Sequence, residues 1–247
     1  MKNVHYSTDH LPEFYSSHRI GWEALYPSEK VILEKLPLNA ESRVIDLGSA
    51  CGGLGVALRE RFGITAYTGI DISADCIAAA PAICPHGDFH AGDFLDLHET
   101  LPADFDLACS LGAADWNVQT EALLAALAEH VKPGGHLLFT CRTTNQLPTD
   151  GMVEARQAIV FAAESSGDVE YAPYKVYALP RVLQMVTAAC PARRVLGYGY
   201  WGDVPSAVEG LPWSRVFYLV LAVEKAAADF TGAARVELDV ALDMIVH

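Results

Sequence analysis

The sequence predicts a doubly wound α/β fold, a mostly parallel sheet with helices on both faces. Short apolar runs of strand length alternate with helical stretches from Arg43 to Arg142. The loops that follow the strands carry the glycines and the isolated acids. Right-handed crossovers would gather those loops along one sheet edge. Two more strand-like runs follow a later helix, giving seven strands.

Each element has its own signal. In residues 1–40 "YPSEKVILEKLPL" starts a helix at Pro27-Ser28-Glu29 and stops it at Pro37, a helical lead-in to the sheet. "RVIDLG" is a buried strand, and "LGVALRERFG" a helix closed by Gly63. "AYTGIDIS" is the second strand. "SADCIAAAPAIC" is a helix capped by Ser73 and broken by its proline. "HGDFHAGDF" holds a short third strand, and "FDLACSLG" is the fourth. "VQTEALLAALAEHVK" is an amphipathic helix stopped by "PGG", before the fifth strand "HLLFTCR". These make a core over 41–142. Residues 143–178 loosen into an insertion after strand five, with a helix over Val153 to Glu164 and the aromatic cluster Tyr171, Tyr174 and Tyr177. In 179–225 a helix begins at Pro180, and "RRVLGYGYWG" and "RVFYLVLAVEK" are the last two strands. The tail 226–247 has no assignable pattern. The whole reads as a single domain.

Composition narrows the function. The 247 residues are 51% hydrophobic and 19% charged, enough for one large core. A net charge of −14 argues against a general nucleic-acid or anionic-membrane binder. None of the six cysteines has CxxC spacing, so the expectation is free thiols and no metal centre. The N-terminus lacks the apolar stretch of a signal peptide, and no run is long enough for a membrane span. These features predict a cytoplasmic protein and leave room for a homodimer.

The turn "VIDLGSACGGLG" carries the chemistry. Its glycines do not fit G-x-G-x-x-G, and no Gly-Lys-Ser/Thr follows. Asp46, just before the glycines, would repel a pyrophosphate. A cationic or zwitterionic ligand turns that acid into an asset: it can order the turn's amides or meet an ammonium group. Asp71, ending the next strand, suits a ribose diol. Asp93, after the third, suits an adenine amino group, with Ile72 and Phe94 near the ring. Three acids on successive strand ends suit an adenosine without phosphates.

At these residues the chain resembles the class I S-adenosylmethionine-dependent methyltransferases. "VIDLGSACGGLGVAL", "YTGIDIS", "GDFHAGDFLDL", "FDLACSLGAADW" and "LLAALAEHVKPGGHLLFT" are similar to five of their motifs in the family's order, across residues 40–142. The resemblance implies a Rossmann-like domain with S-adenosyl-L-methionine as cofactor. Gly48, Ser49, Ala50 and Gly52 would hold its methionine end. Ser110 and Leu111 would line the floor near the sulfonium. Tyr15 or Arg19, in the aromatic segment "FYSSHRIGWEALY", would reach its carboxylate. Ala50 departs from the family's usual glycine, and a positive φ there would strain it.

Methyl transfer needs an in-line nucleophile, and a hydroxyl acceptor also needs a base or a metal. Asp115, in the loop "SLGAADWNVQ", is the candidate base. Arg142, ending strand five, is the candidate anchor for an acceptor carboxylate or phosphate. Tyr200 and Trp201 could face a ring-shaped acceptor. The acidic chain and the absence of an NPPY-type motif favour a small-molecule acceptor, an oxygen of a sugar or natural-product metabolite. The alternatives are N-methylation and a non-catalytic protein that binds S-adenosylmethionine.

Overall fold

The computed structural model describes residues 10–159 and 169–245. Helices α1 (His10–Tyr15) and α2 (Pro27–Leu33) lead in. The core then runs β1 (Arg43–Leu47), α3 (Gly53–Phe62), β2 (Ala66–Asp71), α4 (Ala74–Ile83), β3 (Gly87–Ala91), α5 (Phe94–Leu97), β4 (Phe105–Ser110), α6 (Thr120–Glu129) and β5 (Val131–Thr144). Strands β6 (Met152–Ile159) and β7 (Glu170–Ala178), helix α7 (Leu179–Ala189), and strands β8 (Ala192–Asp203), β9 (Val208–Glu209), β10 (Arg215–Lys225) and β11 (Arg235–Asp239) complete it.

The main path of the sheet is β11-β8-β10-β5-β4-β1-β2-β3. The pairs β1–β2, β2–β3, β1–β4 and β4–β5 are parallel, as a buried α/β core requires. β10 runs antiparallel between β5 and β8. One apolar core packs α6 and α7 against the sheet through Leu123, Leu127, Val182 and Val186. Another packs α2 and α3 against it through Ile32, Leu33, Leu54 and Leu58. β1 lies between them, with Val44 and Ile45 fully buried.

Seven strands was an undercount: the described residues contain eleven. The expected helix from Val153 is strand β6 as far as Ile159, antiparallel to β7 over eight residue pairs; residues 160–164 of that expectation lie outside the described residues. β7 adds in parallel to the end of β5, Arg142–Thr144 against Val176–Ala178, and β9 pairs with β6. A small separate core of Ala155, Tyr174, Val176 and Val216 lies beneath this extension. In the tail, β11 pairs in parallel with β8, fastened by Arg194 to Glu237 at 2.6 and 3.0 Å.

Two local details also differ. α4 continues through Pro81 to Ile83. The "PGG" segment is absorbed in β5 as an irregularity, since Phe105 pairs with Val131 and Leu107 already pairs with His136. The end of α6 is held by Lys225, which donates to the carbonyls of Ala128 (2.9 Å) and Val131 (2.8 Å). Among the described residues no helix is long and apolar enough to cross a membrane.

Candidate active site

The parallel register sets Leu47 beside Ile70, so the loops leaving β1 and β2 emerge together. Gly48 and Ser49 both donate to the Ile70 carbonyl, at 2.8 and 3.1 Å. Gly48, Ala50 and Gly52 all have positive φ, of 78°, 45° and 81°. A Cβ on Gly48 would collide with that of Ala113, and one on Gly52 would stand 2.8 Å from Phe89. The turn therefore needs left-handed backbone at Ala50, where an alanine side chain costs about 1–2 kcal/mol.

The three acids do different work. Asp46 is buried; Tyr67 donates its hydroxyl to it at 2.5 Å and the Cys109 thiol donates at 3.6 Å. Burial pushes its carboxyl up to about 6, against those two hydrogen bonds, and the charge of Asp71 adds to the rise. Asp46 makes no hydrogen bond to the turn's amides, contrary to one expectation from sequence. Asp71 does so: its Oδ2 accepts from Ala50 at 2.9 Å and its Oδ1 from Ser73 at 2.8 Å. Asp93 caps α5, accepting from Leu95 at 3.1 Å. Ile72 and Phe94 are on the same wall, but the Phe94 ring is 1% exposed and packs on His98 and His130.

The N-terminal segment straps across this turn. The Arg19 carbonyl lies so close to Gly53 that any Cβ there would strike it. The Arg19 guanidinium meets both oxygens of Glu29, at 2.7 and 2.9 Å, and sits 4.7 Å from the Tyr26 ring centre. Burial would weaken its charge, but the Glu29 carboxylate outweighs burial and holds its pKa above the usual arginine value. Burial raises the phenol of Tyr15, with the nearby Arg19 charge acting against it.

One cavity of about 1120 Å³ joins these groups. Its first end is walled by Tyr15, Arg19, Ser49, Asp71 and Asp93, with Asp46 beneath. It passes Leu111 and Gly112 and ends among Arg142, Tyr174, Tyr200 and Tyr218. Ser110 does not reach the cavity wall: it is fully buried behind it, and Leu111 takes the position expected of the pair. Arg142 is 6% exposed, its guanidinium 3.7 Å from the Tyr174 ring centre. The hydroxyls of Tyr174 and Tyr218 are 3.4 Å apart, and Tyr218 donates to the Asp203 carbonyl at 2.9 Å. Tyr200 stacks on Tyr218; Trp201 instead packs edge-on against the core residue Phe217.

The backbone of Asp115 lies in a short 3-10 turn, Ala114–Trp116, and its side chain is outside the described part of the structure. The loop that carries it is held by a residue that sequence reasoning missed. Lys175 is buried and donates to the carbonyls of Asn117 (2.8 Å) and Val118 (3.0 Å) and to Thr120 Oγ1 (3.3 Å). A lysine inside the apolar run "YKVYA" was the available signal, since a buried ammonium needs such partners.

Residues 44–135 match the family model of a methyltransferase domain. The chain is 36% identical over 103 residues to a trans-aconitate 2-methyltransferase of Deinococcus radiodurans, covering 41% of this chain and 38% of that protein. It is 30% identical over 134 residues to a malonyl-[acyl-carrier protein] O-methyltransferase of Enterobacter lignolyticus, covering 53% and 49%. Its fold is similar to that of an S-adenosylmethionine-dependent methyltransferase of Mesorhizobium loti, with a TM-score of 0.53 at 18% identity over 79% of this chain and 96% of that one. The fold and the family model together define an α/β domain of the methyltransferase type. Residues 44–135 match a methyltransferase domain, and the chain is similar there to S-adenosylmethionine-dependent methyltransferases of class I. It spans about half or less of the length of the curated relatives described here.

Two outcomes test the geometry of the turn. Ala50→Gly should stabilise the fold by about 0.5–1 kcal/mol, relief of left-handed strain offset in part by greater freedom of the unfolded chain. Urea unfolding with an unchanged slope checks this; a loss of stability would contradict the strain. The raised Asp46 carboxyl gives the second. A folded value of about 6 against 3.8 means that its neutral form favours the native state. That contribution is complete below about pH 4 and lost as pH rises through about 6. Asp46→Asn should therefore be more stable than wild type by up to about 2–3 kcal/mol near pH 8, with the gap closing towards pH 4. A gap independent of pH would refute this account of Asp46.

Proposed function

We propose that this protein transfers the methyl group of S-adenosylmethionine to an oxygen of a small-molecule acceptor that carries a carboxylate. The observation that carries this proposal is the single cavity running from the acids at the strand ends to Arg142 and its tyrosines. The donor end fits the cofactor. A Cβ on Gly48 would strike that of Ala113, so the turn after β1 packs directly on the loop after β4 at the cavity wall. Ser49 Oγ is buried on the wall without a hydrogen-bond partner among the described residues, ready to serve a ligand. Asp71 would accept from the ribose hydroxyls through lone pairs not used by Ala50 and Ser73, and Asp93 from the adenine amino group. Asp46 would lend negative charge beneath the methionine end, with Tyr15 and Arg19 towards its carboxylate and Leu111 beside the sulfur.

When bound, S-adenosylmethionine supplies a methyl group on a positively charged sulfur, which leaves as a neutral thioether. The residues of this chain align the acceptor oxygen behind that methyl group and keep water from the path. Arg142 would hold the acceptor's carboxylate, and the strands over 143–178 would cap that side. A carboxylate is already ionised at neutral pH and needs no base to become a nucleophile. A hydroxyl acceptor would call on Asp115 instead. The two relatives are named for acting on trans-aconitate and on malonyl-[acyl-carrier protein], both carboxylate-bearing groups, which supports the carboxylate reading. The net charge of −14 supports an enzyme acting on small molecules rather than nucleic acid.

Titration calorimetry should find micromolar-scale binding of S-adenosylhomocysteine and none of NAD. Asp71→Ala should weaken that binding by about 1.5–3 kcal/mol; unchanged affinity would remove the ribose assignment, and no binding by wild type would overturn the cofactor site. For the acceptor, product formation should be compared across small di- and tricarboxylic acids and their neutral amides. Arg142→Met should raise KM for the acids about tenfold or more, the scale of a lost charge-assisted contact, with S-adenosylhomocysteine affinity unchanged. Equal turnover of acids and amides would overturn the carboxylate reading.

A further inference from the structure

All six cysteines are buried and unbridged. Two of them differ from the rest in place and surroundings. Cys51, in the turn after β1, and Cys76, in the first turn of α4, pack with Leu11 of α1 in one small cluster. Both also stand on the cavity wall, close to Asp71. They are 0% and 2% exposed, so the route to them is through the cavity.

Their chemistry is asymmetric. Cys76 is the third residue of the ten-residue α4, where the helix N-terminus favours a thiolate. Its own amide is tied to Ser73 Oγ at 3.3 Å. The neighbouring Cys51 side chain holds the Cys76 thiol below its ordinary value, with burial and the charge of Asp71 acting against it. The Cys76 side chain, then burial, pushes the Cys51 thiol up. Cys51 also donates to the Pro12 carbonyl at 3.8 Å, so α1 lies directly over the pair. A thiol at a helix N-terminus packed in one cluster with a thiol whose proton is held by a carbonyl is the arrangement of an attacking and a resolving cysteine.

We propose that Cys51 and Cys76 are a peroxide-sensitive pair whose disulfide closes the nucleoside end of the cavity. The Cys76 thiolate attacks one oxygen of hydrogen peroxide. The O–O bond breaks, hydroxide leaves, and Cys76 becomes a sulfenic acid. The sulfur of Cys51 then attacks the Cys76 sulfur, the S–O bond breaks, and the departing hydroxide takes the Cys51 proton as water. Two thiols and one peroxide give one disulfide and two waters; the sulfurs lose the two electrons that peroxide gains. The new bond would join the turn holding Ala50 to α4, beside the carboxylate that now links them by hydrogen bonds. A ligand in the cavity would block the peroxide, and the disulfide would oppose the ligand.

The crosslink stands independently of the cofactor assignment, whereas the ligand effects rest on the proposed function. The full chain is treated with hydrogen peroxide, alkylated, digested and mapped by mass spectrometry. The expected product is one peptide pair joined through Cys51 and Cys76, reversed by dithiothreitol, with the other four cysteines alkylated. Cys51→Ser should instead accumulate oxyacids at Cys76, and Cys76→Ser should react about tenfold more slowly or not at all, as expected from the lost thiolate. S-adenosylhomocysteine should slow the crosslinking, and oxidised protein should bind it about tenfold or more weakly until reduced. Crosslinking without any ligand effect would uphold the pair and count against the cofactor site. Wild-type protein that ends with Cys76 over-oxidised, or with no crosslink, would overturn the proposal.

Discussion

The Asp71 carboxylate is the interaction on which the strand-edge end of the cavity depends. One oxygen holds the Ala50 amide of the turn after β1, the other the Ser73 amide that opens α4. It can do both because parallel pairing brings the ends of β1 and β2 side by side, with the Ile70 carbonyl already holding Gly48 and Ser49. Magnitudes explain why alanine is tolerated in this turn. A left-handed alanine costs about 1–2 kcal/mol, and each hydrogen bond to a carboxylate returns about 1.5–3 kcal/mol. The turn is held from β2 whether or not residue 50 is glycine.

Asp46 and Asp71 show how position along a strand decides the role of a side chain. Asp71 ends β2 and reaches the edge, where amides satisfy its charge. Asp46 is one residue short of the end of β1, faces inward, and finds Tyr67 and Cys109. Two neutral donors do not repay the desolvation of a carboxylate, so its proton is held more tightly. Glu29, 1% exposed, instead has Arg19 gripping both its oxygens. Such a buried pair adds little net stability, since two desolvation costs oppose one attraction. Its effect is to fix the N-terminal strap over the turn and to place a cation on the wall of an otherwise acidic pocket end.

The parallel core could be read from sequence because each of its elements is a local pattern: a short apolar run, a glycine or acid, then a helical face. The extension after β5 could not. "VEARQAI" consists largely of good helix formers, and propensity favoured a helix. Pairing with β7, whose tyrosines and valine suit a pleated surface, overrode that preference. β11 escaped notice because five residues of mixed polarity carry no period; its place depends on the exposed edge of β8. Asp71 was legible as a strand-end acid. The grip of Lys175 on the loop at Asn117 was not, because only the topology brings these residues together. Asp93 and Phe94 were legible as residues of the strand edge, but not the extent to which the Phe94 ring belongs to the core.

Arg142 sits where two parts of the structure meet. Up to Phe139, β5 is bound to β4 on one side; three residues later it is bound to β7. At the same position its other edge pairs with β10, Arg142 opposite Tyr218. The guanidinium is thus oriented by the core strand that bears it and by the ring of Tyr174, which belongs to the extension. The opposite end of the cavity, by contrast, is built from β1, β2, α4 and the N-terminal strap. Changes in β6, β7 or β9 would reshape the surroundings of Arg142 while leaving the Asp71 bridge intact. On the proposed function, selection of the acceptor and retention of the donor would then vary separately, although both ligands would share one cavity.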